Sequence, residues 1–273
     1  MKKAKHTKTI LVGIDYTKSS DNALYYAVML AKRNKASVML FHIYETPVIH
    51  TYSGAYFISY KEMQGFNMAR LNKYKAKLEA KFPGVNFETF ATYKSFKAGV
   101  SDLIKSRRVH YVVLGLESKS KFSKFIYGTT GLEVVGKISC PVIIVPERYK
   151  EHRLTKMVLA LDNQKTVESK LMQKVKDFSK NFKAEMNAVH IKTENEFMLI
   201  PQKKAETANK KWKVNSVEAK NFETGIFSYV KESKTDLIAV FSHSHSVLYN
   251  LFNESNTKLL AFKAKIPVMS IHG

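Results

Sequence analysis

Two stretches of this chain repeat one another at a fixed spacing, and that repeat restricts the fold to two similar units in series. Gly99 and Pro141 are 42 positions apart, and so are Gly225 and Pro267. Between those marks the segments align without a gap. Tyr111-Val112-Val113-Leu114 falls on Leu237-Ile238-Ala239-Val240, and Lys8 to Asp15 has its echo in Lys156 to Asp162. A two-unit repeat of this size is a pair of domains rather than a solenoid, because stacked repeats need three or more units to bury a continuous core. The charged run Glu147 to Thr155 follows Pro146 and reads as the linker, so residues 1–148 and 153–273 are the expected domains.

The pattern inside each unit is α/β. Thr9 to Ile14 is short, apolar and β-branched and stops at Asp15, as a buried strand does. A helix capped by Ser19 or Ser20 follows, with Leu24, Ala27, Val28 and Ala31 on one stripe, and then a second apolar run, Ser37 to Tyr44. Two continuous apolar strands flanking a helix imply a parallel pair with a right-handed crossover. Glu45 to Gly65 reads as a long aromatic loop with Tyr52, Tyr56, Phe57 and Tyr60. A helix over Phe66 to Phe82, a weaker strand over Val85 to Phe90 and a short helix over Gly99 to Lys105 complete the approach to the most informative stretch. The second unit repeats the plan. It has strands over Met157 to Leu161, Glu185 to Ile191, Val214 to Glu218, Leu237 to Phe241 and Val268 to Ile271, and a helix carrying Leu171, Val175, Phe178 and Phe182 on one face.

That informative stretch is Val112 to Pro146, in which two buried-looking strands bracket a Lys/Ser-rich loop. Gly128-Thr129-Thr130-Gly131 opens the helical run Leu132 to Lys137. Small residues and hydroxyls at a helix N-terminus make a phosphate seat, since free N–H groups and the helix dipole both favour an anion and glycine lets the backbone approach it. The spacing Gly115-x2-Ser118-x9-Gly128-Thr129 resembles the G-x2-G-x9-G-[ST] signature of universal stress proteins, with Ser118 in the second glycine's place. Cys140-Pro141-Val142-Ile143-Ile144-Val145-Pro146 is similar to that family's closing strand.

The resemblance implies two doubly wound domains of the adenine nucleotide alpha hydrolase-like type, each with a mainly parallel five-stranded sheet in the order 3-2-1-4-5. It implies an adenine nucleotide, ATP, ADP or AMP, with or without Mg²⁺, held by Asp15, Gly115, Ser118, Gly128 and Thr129. By the same resemblance Ile14, Ile43 and Leu114 line base and ribose, and Thr130 adds a phosphate contact. It also implies pairing of the two domains within the chain as a pseudo-dimer, or of two chains as a homodimer. In the second unit Gly115, Ser118, Gly128 and Thr129 fall on Phe241, Ser244, Glu254 and Ser255, so both glycines are lost and a carboxylate stands where phosphate oxygens would sit. Nucleotide binding is therefore expected in the first half alone, in a stress-responsive regulator. A nucleotide-free interaction module is the alternative.

Other features bound the function. A strand-terminal Asp15 is also a good turn former, and its counterpart Asp162 persists where the glycine loop does not. His42 and His190, at equivalent strand ends, read as hydrogen-bonded core histidines. His243, His245 and His272 lack the spacing of a known metal site, and no metal cofactor is expected. Gly131 to Lys137 mimics a P-loop, but Ile138 replaces the Mg²⁺-binding hydroxyl. No catalytic set is visible, and turnover, if any, is at most slow nucleotide hydrolysis. The net charge of +22 comes overwhelmingly from scattered lysines, with arginine at six positions, and reads as a basic surface rather than a specific nucleic-acid reader. With no span-length apolar run and Cys140 as the single cysteine, a cytoplasmic setting with no membrane partner is expected.

Overall fold

A computed structural model describes residues 8–45, 48–51, 54–57, 59–107, 109–116, 138–161, 169–193, 214–242 and 264–272. The first half runs β1 (Thr9–Gly13), α1 (Lys18–Asn34), β2 (Ser37–Ile43), the hairpin β3 (Val48–Thr51) and β4 (Gly54–Phe57), α2 (Tyr60–Lys81), β5 (Phe87–Thr92), α3 (Phe96–Arg107), β6 (Val109–Leu116) and β7 (Val142–Pro146). The second runs β8 (Lys156–Leu161), α4 (Ser169–Phe182), β9 (Glu185–Thr193), β10 (Val214–Ala219), α5 (Phe222–Ser233), β11 (Leu237–Ser242) and β12 (Val268–His272).

The strands form a ten-stranded sheet in the order β10-β9-β8-β11-β12-β7-β6-β1-β2-β5. Each half reads 3-2-1-4-5 from its outer edge, with parallel pairing throughout. One antiparallel contact joins the halves: Val142 to Ile144 of β7 pairs with Val268 to Ser270 of β12. The expectation of two separate sheets is corrected here. The fifth strands carry unpaired backbone groups on their outer edges, and pairing edge to edge satisfies both at once.

The packing follows the same division. On one face a single core spans both halves, from Val12, Leu40 and Val113 to Leu159, Leu237 and Met269, covered by α1, α2 and α4. On the other face two cores remain separate, one under α3 and one under α5. The shared face is stitched by Tyr111 of β6, whose ring lies 5.3 Å from Phe178 and 5.5 Å from Phe182, and whose hydroxyl accepts from Asn181 Nδ2. The apolar stripe Leu171, Val175, Phe178 and Phe182 is buried as its spacing requires.

Four local readings are corrected. Thr17, not a serine, caps α1 by accepting from the Ser20 N–H. The aromatic loop contains the hairpin β3–β4 and the first turns of α2, which starts at Tyr60 because Ser59 and Glu62 form a reciprocal capping box. The weaker third strand lies at Phe87–Thr92, two residues later than its apolar pattern suggested. The charged segment after Pro146 is not a loose linker. Tyr149 and Leu154 are buried, Asn22 Nδ2 donates to the carbonyls of Pro146 and Tyr149 at 2.8 Å each, and Asn22 Oδ1 accepts from His152 Nε2 at 2.8 Å. At its far end buried Asp236 accepts from Arg153 Nε, the Thr155 N–H and hydroxyl, and the Lys156 N–H. Its charges look outward while its polar backbone is fixed from within.

Candidate functional site

The C-terminal ends of β1, β2 and β6 lie side by side, with Gly13 paired to Phe41 and Val12 to Val113. In an open parallel sheet this edge, where the strand order reverses, is where ligands settle. The chain leaves β1 through Ile14, whose N–H still donates to the Phe41 carbonyl at 2.8 Å, and turns into α1 over Asp15, Tyr16 and Thr17. Asp15 Oδ1 accepts from the Thr17 N–H at 3.1 Å and from the Thr17 hydroxyl at 2.6 Å. This bond two residues ahead holds Tyr16 in the left-handed region at φ 64°, a conformation that costs an aromatic residue about 1–2 kcal/mol. The other carboxylate oxygen, Oδ2, is buried and has no partner among the described residues. A buried carboxylate oxygen calls for a donor, because leaving it unpaired costs more than a made hydrogen bond returns.

Tyr16 is held from several sides. Its ring centroid is 5.0 Å from that of His42 and 5.8 Å from that of Tyr74, and the Arg70 guanidinium lies 3.8 Å from the ring centre. Burial raises the Tyr16 hydroxyl above its ordinary pKa, with Arg70 opposing, so it stays a neutral donor. That hydroxyl too is buried and has no partner among the described residues. Tyr74 in turn donates to Asp21 in the first turn of α1. His42 Nδ1 lies 2.6 Å from the Ile14 carbonyl, and His190 Nδ1 lies 3.1 Å from the Leu161 carbonyl. The two histidines therefore perform the same structural task in the two halves, as their positions led us to expect.

Gly115 sits where β6 passes under the start of α1. A Cβ at this position would lie 2.3 Å from the Ser19 carbonyl oxygen and 2.9 Å from the Ser20 nitrogen. The glycine thus lets the helix N-terminus settle onto the strand end. The repeat-marking glycines have a similar reason. A Cβ on Gly99 would meet the Phe41 ring at 2.8 Å, and one on Gly225 would meet Ile191 at 2.6 Å.

Of the residues singled out in the sequence, Asp15, Ile14, Ile43, Leu114 and Gly115 gather at this edge. Ile14 and Leu114 are fully buried, in the cores on opposite faces of the sheet, while Ile43 is half-buried at the end of β2. Ser118, Gly128, Thr129 and Thr130 lie outside the described residues, as do Asp162, His243, His245, Glu254 and Ser255. His272 ends β12, and its carbonyl accepts from Lys174. Sequence reasoning missed Tyr16, Arg70 and Tyr74. The aromatic directly after a strand-terminal Asp was a usable signal for the first; the other two lie within the helix expected over Phe66 to Phe82, and only tertiary packing brings them to Tyr16.

Burial pushes the Cys140 thiol up to about 12, in keeping with a packed residue rather than a reactive one. No helix among the described residues is long and apolar enough to cross a membrane.

Comparison with known proteins places this geometry in context. No curated protein sequence matches the chain. Among solved structures, a universal stress protein from Archaeoglobus fulgidus DSM 4304 superposes with a TM-score of 0.63 at 13% identity, covering 97% of this chain and 98% of the other. A putative universal stress protein from Pseudomonas aeruginosa UCBPP-PA14 gives 0.57 at 12% identity, over 97% and 93%. The cytoplasmic domain of a prokaryotic cation chloride cotransporter gives 0.51 at 12% identity, over 97% and 95%. Identities this low speak for the fold alone. The sequence profile of the Universal stress protein family matches residues 6–146, more than half the chain and all of β1 to β7. The chain belongs to the universal stress protein family.

Proposed function

We propose that the first half binds one adenine nucleotide at the edge formed by β1, β2 and β6, and that the chain serves as a nucleotide-responsive regulator in a stress response. Asp15 carries the reading. One of its oxygens is spent on the turn into α1, and the other is buried without a donor among the described residues. The exocyclic amine of adenine offers only donors, which matches an acceptor-only oxygen. Gly115 supports the reading by letting the α1 N-terminus close against this edge. The Gly128-Thr129-Thr130 loop, with Ser118, would take the phosphates, with or without a Mg²⁺ ion to offset their charge. Glu254 and Ser255 in the corresponding loop of the second half argue for one nucleotide per chain. The two halves are read as a duplication, with the β7–β12 contact forming an internal pseudo-dimer.

A second reading, a nucleotide-free interaction module, is favoured by one observation: Gly115 has a packing reason that needs no ligand. Calorimetry with ATP, ADP and AMP on wild type and Asp15→Ala separates the two. Saturable binding lost in the variant supports the nucleotide site. Absence of binding in the wild type supports the interaction module.

A further inference from the structure

Away from the strand ends, α1 from Tyr25 onward, the C-terminal end of α2 and the segment after β7 line an open cleft of about 500 Å³, within the size range of small-molecule sites. Tyr25, Met29 and Phe82 give it an apolar floor, and the Tyr25 and Phe82 rings meet edge to face with centroids 5.7 Å apart. Its rim is cationic. Lys81 Nζ stands 4.6 Å from the Tyr25 ring centre and 5.6 Å from that of Phe82, and donates to the Tyr25 hydroxyl at 2.9 Å. Lys32 Nζ stands 5.4 Å from the same Phe82 ring. Arg33 adds a third charge, with its guanidinium anchored on the carbonyls of Leu154 and Phe182.

Among the described residues, no carboxylate lines this cleft. All three are last-turn residues, Lys32 and Arg33 of α1 and Lys81 of α2, where the helix C-terminal dipoles favour cations, and the fold brings the two helix ends together so that Lys32 and Lys81 share the Phe82 ring. Like charges brought together over a low-dielectric surface repel, and an anion between them relieves the repulsion. The apolar floor asks for a ring rather than a hydrated ion, since aromatic faces and edges stack on Tyr25 and Phe82. His152 closes one side as a neutral group, because burial lowers its pKa and its Nε2 is occupied with Asn22.

We propose that this cleft is a second ligand site, distinct from the strand-end edge, and that it takes a small aromatic carboxylate. The ring lies on Tyr25 and Phe82 and the carboxylate faces Lys32 and Lys81.

The test uses the full chain and 2-naphthoate as the probe, followed by calorimetry, with 2-naphthalenemethanol as the uncharged counterpart. The proposal predicts saturable binding of one naphthoate per chain, with the alcohol at least about tenfold weaker, as loss of a charge-assisted contact implies. The pair Lys32→Gln and Lys81→Gln should weaken naphthoate by about tenfold or more while leaving the circular dichroism and melting temperature unchanged, because both side chains are exposed. Arg33 is left intact because it holds two backbone carbonyls. Met29→Phe, which fills the floor without altering charge, should also weaken binding. Failure of naphthoate to bind, equal binding of the alcohol, or an affinity unchanged in the lysine double variant would overturn the proposal.

Discussion

Gly115 and the Ser19 carbonyl are so close that a single added methyl on the glycine would lie 2.3 Å from that oxygen. The contact is backbone against helix backbone, so no side-chain rotation relieves it. Gly115→Ala should therefore destabilise the chain by about 2–4 kcal/mol, in the range of overpacked or strained sites, whether or not nucleotide is present. Chemical denaturation of the nucleotide-free protein checks it. A loss confined to the nucleotide-bound form would mean that the glycine serves the ligand alone.

Asn22 ties α1 to the segment after β7 through one buried amide. Its Nδ2 satisfies two carbonyls of the segment after β7, and its Oδ1 takes the His152 hydrogen bond. Asn22→Leu fits the same space but strands those carbonyls, at an expected cost of about 2–4 kcal/mol. Urea unfolding reads the loss, and a change within about 0.5 kcal/mol would show the segment to be held by its apolar residues alone.

Asp236 should give the chain part of its acid sensitivity. Burial pushes its pKa up, but the hydrogen bonds from Thr155, Arg153 and Lys156 outweigh it and leave the carboxyl below its ordinary value of 3.8. A depressed folded-state pKa contributes stability that is fully present above the unfolded value and is lost as pH falls through the folded one. Asp236→Asn should thus lower stability at pH 7 by about 2–3 kcal/mol and flatten the acid limb below pH 4. Unchanged acid unfolding in the variant would assign that limb to other carboxylates.

His152 makes a separate pH prediction. Burial, the largest influence, lowers its pKa below the ordinary 6.5, with the Asn22 hydrogen bond opposing and Lys150 reinforcing. Its neutral form therefore favours the folded chain above about pH 6.5, and that contribution is lost as pH falls through the lowered value. Imidazole proton shifts followed by NMR should titrate below 6.5, and a midpoint above it would contradict the packing described for this ring.

Much of this was legible because the signals were local. Continuous apolar runs such as Thr9 to Ile14 and Val142 to Val145, short and rich in β-branched residues, fit strands buried on both faces, and the stripe from Leu171 to Phe182 fits one side of a helix. The strand order came from the family resemblance, and the repeat applied it to both halves. The joining of β7 to β12 was not legible, since nothing in Val142 to Ile144 tells whether its outer edge meets solvent, a second chain or the other half. The segment after Pro146 misled for the opposite reason. Its glutamates, arginines and Lys150 describe its outer surface, while the residues that fix it, Asn22 and Asp236, lie 124 and 83 positions away from Pro146 and Arg153. At the site, Asp15 was singled out by the family resemblance, since a strand-end carboxylate is by itself equally a turn former, and Arg70 was missed because only tertiary packing brings it to Tyr16.

The account rests most directly on one nucleotide held in the first half, and calorimetry with ATP, ADP and AMP on wild type, Gly128→Glu and Glu254→Gly tests it. Gly128→Glu imports the second loop's carboxylate into the first, and should reduce affinity on the order of a hundredfold through lost charge-assisted contacts and added repulsion. The account predicts a stoichiometry near one in the wild type, with that loss in Gly128→Glu and no loss in Glu254→Gly. A stoichiometry near two, an affinity unchanged by Gly128→Glu, or no binding of any adenine nucleotide to the wild type would contradict it.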